Sequence, residues 1–270
     1  MPNHCKGKQA MQTNTFCYRM LGFAVVVTLL QACAPKSSSK GGPTGGPIPT
    51  STMNLRLTVE SSEPGIAVAR ANVHDDHVGG ESFRLDGGDF FRACLNSVCH
   101  KMDSNDSVLT PTYIARFDYR QGVDYVVSFN RKKGGNAPNS RVALPPPFTV
   151  VTPANGQQVT NGETVVFEWS PTGAPARVDL SYSADCTLAS GPHASSFGTL
   201  SSDDNADGRE SVSIDPMVTF DSLPPVTRCR IDVTVSHKLE GRVDPAFDSG
   251  LALGIVSRKI NLDYIPHQTG

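Results

Sequence analysis

The chain has 270 residues, with 24 Lys and Arg against 26 Asp and Glu, 24 Gly, 20 Pro and one Trp. A net charge of −2 lacks the basic footprint of a nucleic-acid binder, and so few aromatics leave no stacking platform for single strands. An apolar share of 38% still suffices for sandwich-sized cores, which excludes wholesale disorder.

The N-terminus reads as an address. Residues 1–33 contain no Asp or Glu but carry Lys6, Lys8 and Arg19 ahead of an apolar run over residues 21–30. A bilayer-spanning helix needs about 20 apolar residues, so a run half that long is the core of a signal peptide. It ends in Leu30-Gln31-Ala32-Cys33, which resembles the lipobox of bacterial lipoproteins, although Gln31 departs from the small or aliphatic residue usual there. The resemblance implies removal of residues 1–32 and acylation of Cys33 by diacylglycerol and a third, palmitate-type chain. The membrane would then be a partner through those acyl groups. An ordinary secretory peptide with a coincidental cysteine is the competing reading. Ala34 stands where similar lipoproteins kept at the inner membrane carry Asp, so the resemblance implies the outer membrane of the cell envelope.

Cysteine usage leads the same way. Cys5 and Cys17 would leave with the signal and Cys33 would take the lipid. The remaining Cys94, Cys99, Cys186 and Cys229 are an even set, suited to disulfides in an oxidising compartment. Losing Lys6, Lys8 and Arg19 leaves 21 basic against 26 acidic residues, so acyl chains and not a polybasic patch would hold the protein at a membrane. Residues 33–53 form a lipidated linker: fifteen of the twenty residues after Cys33 are Gly, Pro, Ser or Thr. A flexible coil of that length spans about 25 Å.

From residue 54 the apolar pattern has period two, and the expected fold is all-β: two tandem β-sandwich modules behind the signal and linker. The first occupies residues 54–144. Leu55, Leu57 and Val59 alternate with polar residues, and further strands are predicted over 67–74, 82–85, 90–95, 98–102, 112–118 and 124–131. Tyr113, Ala115 and Phe117 would share an inward face with Tyr125, Val127 and Phe129, joined by a turn at Gln121-Gly122. If Asn96-Ser97 is a two-residue turn, Cys94 and Cys99 fall opposite each other at a non-hydrogen-bonded pair, where a cross-strand disulfide fits. The competing reading makes Cys94, Cys99 and His100 metal ligands with His74 and His77, but C-x-x-x-x-C is not a zinc-knuckle spacing.

Residues 132–138 read as a loop, and 142–144 as a last strand of the first module. Pro145-Pro146-Pro147 then makes a stiff joint, with Arg131, Lys132, Lys133 and Arg141 as a basic cluster beside it. The second module, residues 148–265, precedes a tail at 266–270. Its Pro153-x-x-Gly156 edge, Val165-x-Phe167-x-Trp169 strand and Val178-x-Leu180-x-Tyr182 strand resemble immunoglobulin-like and fibronectin-III-like modules of bacterial surface proteins. That resemblance implies a sandwich with Trp169 as its core plug. Cys186 and Cys229 could pair to close a long loop, unlike the antibody bridge, because both follow Trp169.

Reaction signatures are absent from the sequence: no G-x-S-x-G, no H-E-x-x-H, no Walker loop, and Ser37-x-x-Lys40 lies in the linker. Asp203-x-Asn205-x-Asp207-Gly208 has the alternate oxygen donors of a calcium loop but lacks the Glu at the twelfth position. The competing reading is an acidic surface turn between strands, Asp and Asn being natural turn formers, and no other cofactor is implied. The whole chain resembles proteobacterial lipoproteins of two-module type, a resemblance that implies no activity. Three readings follow. The first is a non-enzymatic binding module for an envelope protein or glycan, with recognition expected on loops 74–81, 103–111 and 190–208. The others are a structural or assembly factor of the outer membrane, and an envelope hydrolase built from dispersed loop residues.

Overall fold

The computed structural model describes residues 48–62, 65–74, 84–85, 87–105, 111–173, 177–191, 193–203, 207–220 and 224–266. The signal segment, Cys33 and the linker up to residue 47 lie outside the described residues, as do His77 and Asn205.

The protein is all-β, with sixteen strands, a 3-10 turn at Thr50–Thr52 and a four-residue helix, α1 (Asp215–Val218), among the described residues. The first segment builds β1 (Asn54–Ser61), β2 (Ile66–His74), β3 (Phe90–Leu95), β4 (Val98–Lys101), β5 (Asp103–Asn105), β6 (Thr112–Asp118), β7 (Asp124–Asn130) and β8 (Ala137–Ala143). Period-two alternation decides their faces, since successive side chains of a strand point to opposite sides. Leu55, Leu57 and Val59 of β1 and Ala67, Ala69 and Ala71 of β2 are buried, as are Phe91 of β3 and Tyr125, Val127 and Phe129 of β7. Strands β1, β2, β6 and β5 lie in one sheet; β4, β3, β7 and β8 form the sheet facing it. Phe91 meets Tyr113 across the layers at 5.5 Å between ring centroids, and Phe117 meets Tyr125 edge-on at 5.7 Å. The inward faces of β6 and β7 therefore do meet. They belong to opposed sheets, so residues 119–123, with the expected turn at Gln121-Gly122, cross between layers. Residues 84–85 are irregular where a strand was predicted.

The second segment builds β9 (Thr149–Thr152), β10 (Gln157–Val159), β11 (Thr164–Ser170), β12 (Arg177–Leu188), β13 (His193–Asp203), β14 (Arg209–Ser213), β15 (Val226–Glu240) and β16 (Ser249–Tyr264). A three-stranded sheet, β14-β11-β9, packs on β12, β15 and β16 of the large sheet, with Trp169 buried between the layers.

The expectation of two modules with separate cores is corrected by β16. Residues 249–256 of this strand pair in parallel with β1, while residues 253–264 pair antiparallel with β15. One nine-stranded sheet, ordered β13-β12-β15-β16-β1-β2-β6-β5 with β10 added on β16, therefore spans both halves, and the buried apolar residues form one cluster. A clasp reinforces it. Between β15 and β16, Arg242 exchanges two backbone hydrogen bonds with Arg141 of β8, at 2.7 and 2.8 Å. The buried Asp244 carboxylate accepts from the Asn139 backbone at 2.7 Å, and Phe247 stacks on Phe129 at 5.9 Å. Pro145 is buried and its carbonyl accepts from the Tyr119 hydroxyl at 2.9 Å. The proline segment is thus a packed crossing within one core, not a stiff joint between two modules. The clasp needs small residues: a Cβ added to Gly254 would run into the carbonyl oxygen of Ala143, and one added to Gly241 into that of Arg141.

Candidate functional site

The four cysteines form Cys94–Cys99 and Cys186–Cys229, each bridging directly opposed residues of antiparallel neighbours with Cα atoms 4.0 Å apart. Asn96 takes φ 53° at the hairpin tip, a left-handed conformation that Asn tolerates, and this sets Leu95 against Val98 and Cys94 against Cys99. The metal reading of these cysteines falls with the disulfide. His74 hydrogen bonds Asn72 at 3.2 Å, and His100 packs on Phe117 at 5.2 Å. Cys186–Cys229 staples β12 to β15 and closes the excursion carrying β13, β14 and α1.

The acidic turn has a structural job at its end. Asp207 accepts from the Arg209 backbone at 3.0 Å, and the Gly208 carbonyl accepts from the Trp169 backbone at 3.0 Å. Asp203 ends β13, Asn205 lies outside the described residues, and no group of three metal-ligating side chains occurs among the described residues. The basic cluster separates into individual contacts. Arg131 is almost fully buried over the Phe129 ring, paired with Asp89 at 2.8 Å and donating to the Ile48 carbonyl at 2.6 Å. Arg141 pairs with Asp124 at 3.5 Å. Of the expected recognition loops, residues 75–81, 106–110, 192 and 204–206 lie outside the described residues.

What the tertiary structure does assemble is an open cleft of about 510 Å³ at one edge of the first sandwich. The β3–β4 hairpin forms one wall with Asn96, Ser97, Val98 and His100; the other is the end of β6 with Arg116, Asp118 and the following Arg120. Ile66, where β2 begins, adds an apolar shoulder that is 45% exposed, opposite Val98 at 55%. Volumes of this order hold small ligands or a few residues of a peptide.

The cleft floor is fixed from beneath. Tyr125, fully buried, receives a hydrogen bond from the Arg120 backbone at 3.1 Å and donates to the Asp118 carbonyl at 3.3 Å. Burial raises the Tyr125 pKa, so it stays a neutral donor. The Tyr119 backbone donates to the Gly65 carbonyl at 3.0 Å. The sequence signal for this clamp was slight: an inward Tyr at the start of β7, whose hydroxyl needs a partner.

Among the described residues, neither Arg116 nor Arg120 has a carboxylate within ion-pair distance, whereas Arg70 pairs with Glu60 and Arg230 with Asp232. A smaller concavity of about 220 Å³ on the outer face of β1 and β2 is lined by Arg56 and by the Arg70–Glu60 pair.

No family model matches the chain, and no curated protein matches it. Among solved structures, the fibronectin(III)-like modules of Clostridium thermocellum CbhA overlay on it at 11% identity. The overlay covers 80% of this chain and 92% of that one, with a TM-score of 0.22. So loose an overlay carries no argument; the sandwich description rests on the strands and their register. No helix among the described residues is long and apolar enough to cross a membrane.

Proposed function

We propose that the protein is a non-enzymatic binding module of the bacterial cell envelope, anchored at the outer membrane through acyl chains on Cys33, with the β3–β4/β6 cleft as its recognition site. The observation that carries the binding role is the cleft itself: a preorganised floor, two guanidiniums that pair with no carboxylate among the described residues, and exposed apolar shoulders. Both arginines are exposed, and a guanidinium makes charge-assisted hydrogen bonds to an anionic group. The anchoring half rests on the apolar run ending at Ala32-Cys33, and two disulfides suit an oxidising compartment. The continuous nine-stranded sheet also suits a structural factor of the outer membrane, the second reading.

The experiment places a photo-crosslinking amino acid at Val98, in the cleft, and separately at Val151, exposed on β9 of the second sandwich. A defined adduct formed in cells from position 98 alone supports recognition at the cleft. Adducts from neither position, or the same adducts from both, refute it.

A further inference from the structure

We propose that the cleft takes an extended acidic peptide segment, laid in as an added strand, with its carboxylates on Arg116 and Arg120. The inference rests on the binding-module reading and goes further by naming the ligand class.

Both walls offer unused backbone. Strand β4 is the outermost of its sheet. On the other wall β5 covers only Thr112–Ile114 of β6, because the chain leaves for the opposite sheet at Met102. Residues 115–118 of β6 therefore have β2 as their single strand partner among the described residues. Unpaired N–H and C=O groups along a strand edge are a template for another strand, and a recess keeps that template from indiscriminate aggregation.

Side chains select what enters. A strand added along β6 presents alternate residues to each side: those on the outer face, which Arg116 shares with Ile66 and Asp118 by register, would be acidic, and those turned towards the β3–β4 hairpin would be apolar, against Val98. Guanidinium and carboxylate make charge-assisted, often bidentate hydrogen bonds. The lining holds one carboxylate, Asp118, against two arginines, so the balance favours an anionic ligand. Two other ligand classes fit less well. A glycan site normally offers an exposed aromatic face, but Phe117 here is only 8% exposed. A small anion would leave the backbone edges unused.

The test uses the full chain in mild detergent and a fluorescein-labelled octapeptide of alternating Val and Glu, read by anisotropy. Three controls accompany it: the Val–Lys counterpart, a backbone N-methylated Val–Glu version, and oligogalacturonate as a polyanionic glycan. The Val–Glu peptide should bind, and Arg116→Ala with Arg120→Ala should weaken it by about tenfold or more; both residues are exposed, so the melting midpoint of the double variant should stay close to that of the native chain. N-methylation should weaken it comparably by removing ladder hydrogen bonds, and the Lys peptide should not bind. Equal binding of the N-methylated or Lys peptide, indifference to the double substitution, or no peptide binding at millimolar concentration would overturn the proposal. Binding of oligogalacturonate alone would overturn the peptide assignment yet keep the cleft as a recognition site; an adduct-free Val98 probe in cells would reject the site itself.

Discussion

The imidazole of His237 lies flat on the ring of Phe148, with 3.8 Å between centroids and 7° between planes, and neither of its nitrogens has a hydrogen-bond partner among the described residues. Trp169 closes the other side edge-on at 5.9 Å. Burial, reinforced by the Arg258 guanidinium beyond Phe148, lowers the His237 pKa from 6.5 to about 4. The folded state therefore holds a neutral histidine that the unfolded chain would protonate below about pH 6.5. Stability present above that pH is lost as pH falls towards 4, by up to about 3 kcal/mol. Asp179 is held below its ordinary pKa: burial opposes this, but hydrogen bonds from Lys238 and Arg177 outweigh it. Its loss accordingly begins only in more acid solution. Denaturant melts at pH 7 and pH 4.5 should show a large drop for the native chain and a much smaller one for His237→Phe. Equal drops would mean that His237 is not the group responsible.

The clasp predicts an asymmetry between glycines. Gly254→Ala should cost more than about 3 kcal/mol or prevent folding, because the Ala143 carbonyl occupies the space and backbone cannot swing aside. Gly122→Ala meets nothing within 4 Å and should cost only about 1 kcal/mol, for its φ of +65°. Comparable melting midpoints for the two variants would contradict the close approach of β16 to β8.

Arg131 and Lys133 are two residues apart but should behave differently. Removing the buried Arg131 leaves Asp89 uncompensated at 14% side-chain exposure, so Arg131→Met should cost about 3 kcal/mol. Arg131→Lys should recover little, since an ammonium cannot reproduce the guanidinium fork towards Asp89 and the Ile48 carbonyl. Lys133→Ala should fall within about 0.5 kcal/mol of the native chain. Thermal melts of the three variants check the order.

The two disulfides should part company under reduction. Cys99 is exposed, whereas Cys186 and Cys229 are buried. Mild thiol should open Cys94–Cys99 first, and alkylation with mass mapping would show the order. By loop entropy, losing the 5-residue separation should cost about 2 kcal/mol and losing the 43-residue one about 4. Earlier alkylation of Cys186 would contradict this accessibility argument.

For the anchor, Cys33→Ser should release the protein from the membrane fraction or leave it unprocessed, as read by fractionation and apparent size. Unchanged partition and size in that variant would reject acylation at Cys33.

Sequence by itself determined what depends on near neighbours. Alternation placed Leu55, Leu57 and Val59 inward because a pleated strand has a two-residue period whatever it later pairs with. The Cys94–Cys99 pairing follows from a two-residue turn for the same reason, and an isolated Trp at an alternating apolar position could hardly be elsewhere than buried. Tertiary structure decided whatever depends on which strands meet. Backbone hydrogen bonding carries almost no side-chain signature, so nothing in β1 announces β16, nearly two hundred residues away, as its parallel partner. Without that pairing two alternating segments look like two modules. Charge environment is equally nonlocal. Arg131, Arg116 and Arg120 are identical letters on or just beyond similar strands, yet packing buries the first on Asp89 and leaves the others facing an open cleft. His237, one of seven histidines, is singled out only because the crossing at Phe148 and the strand of Trp169 converge on it and shut out water.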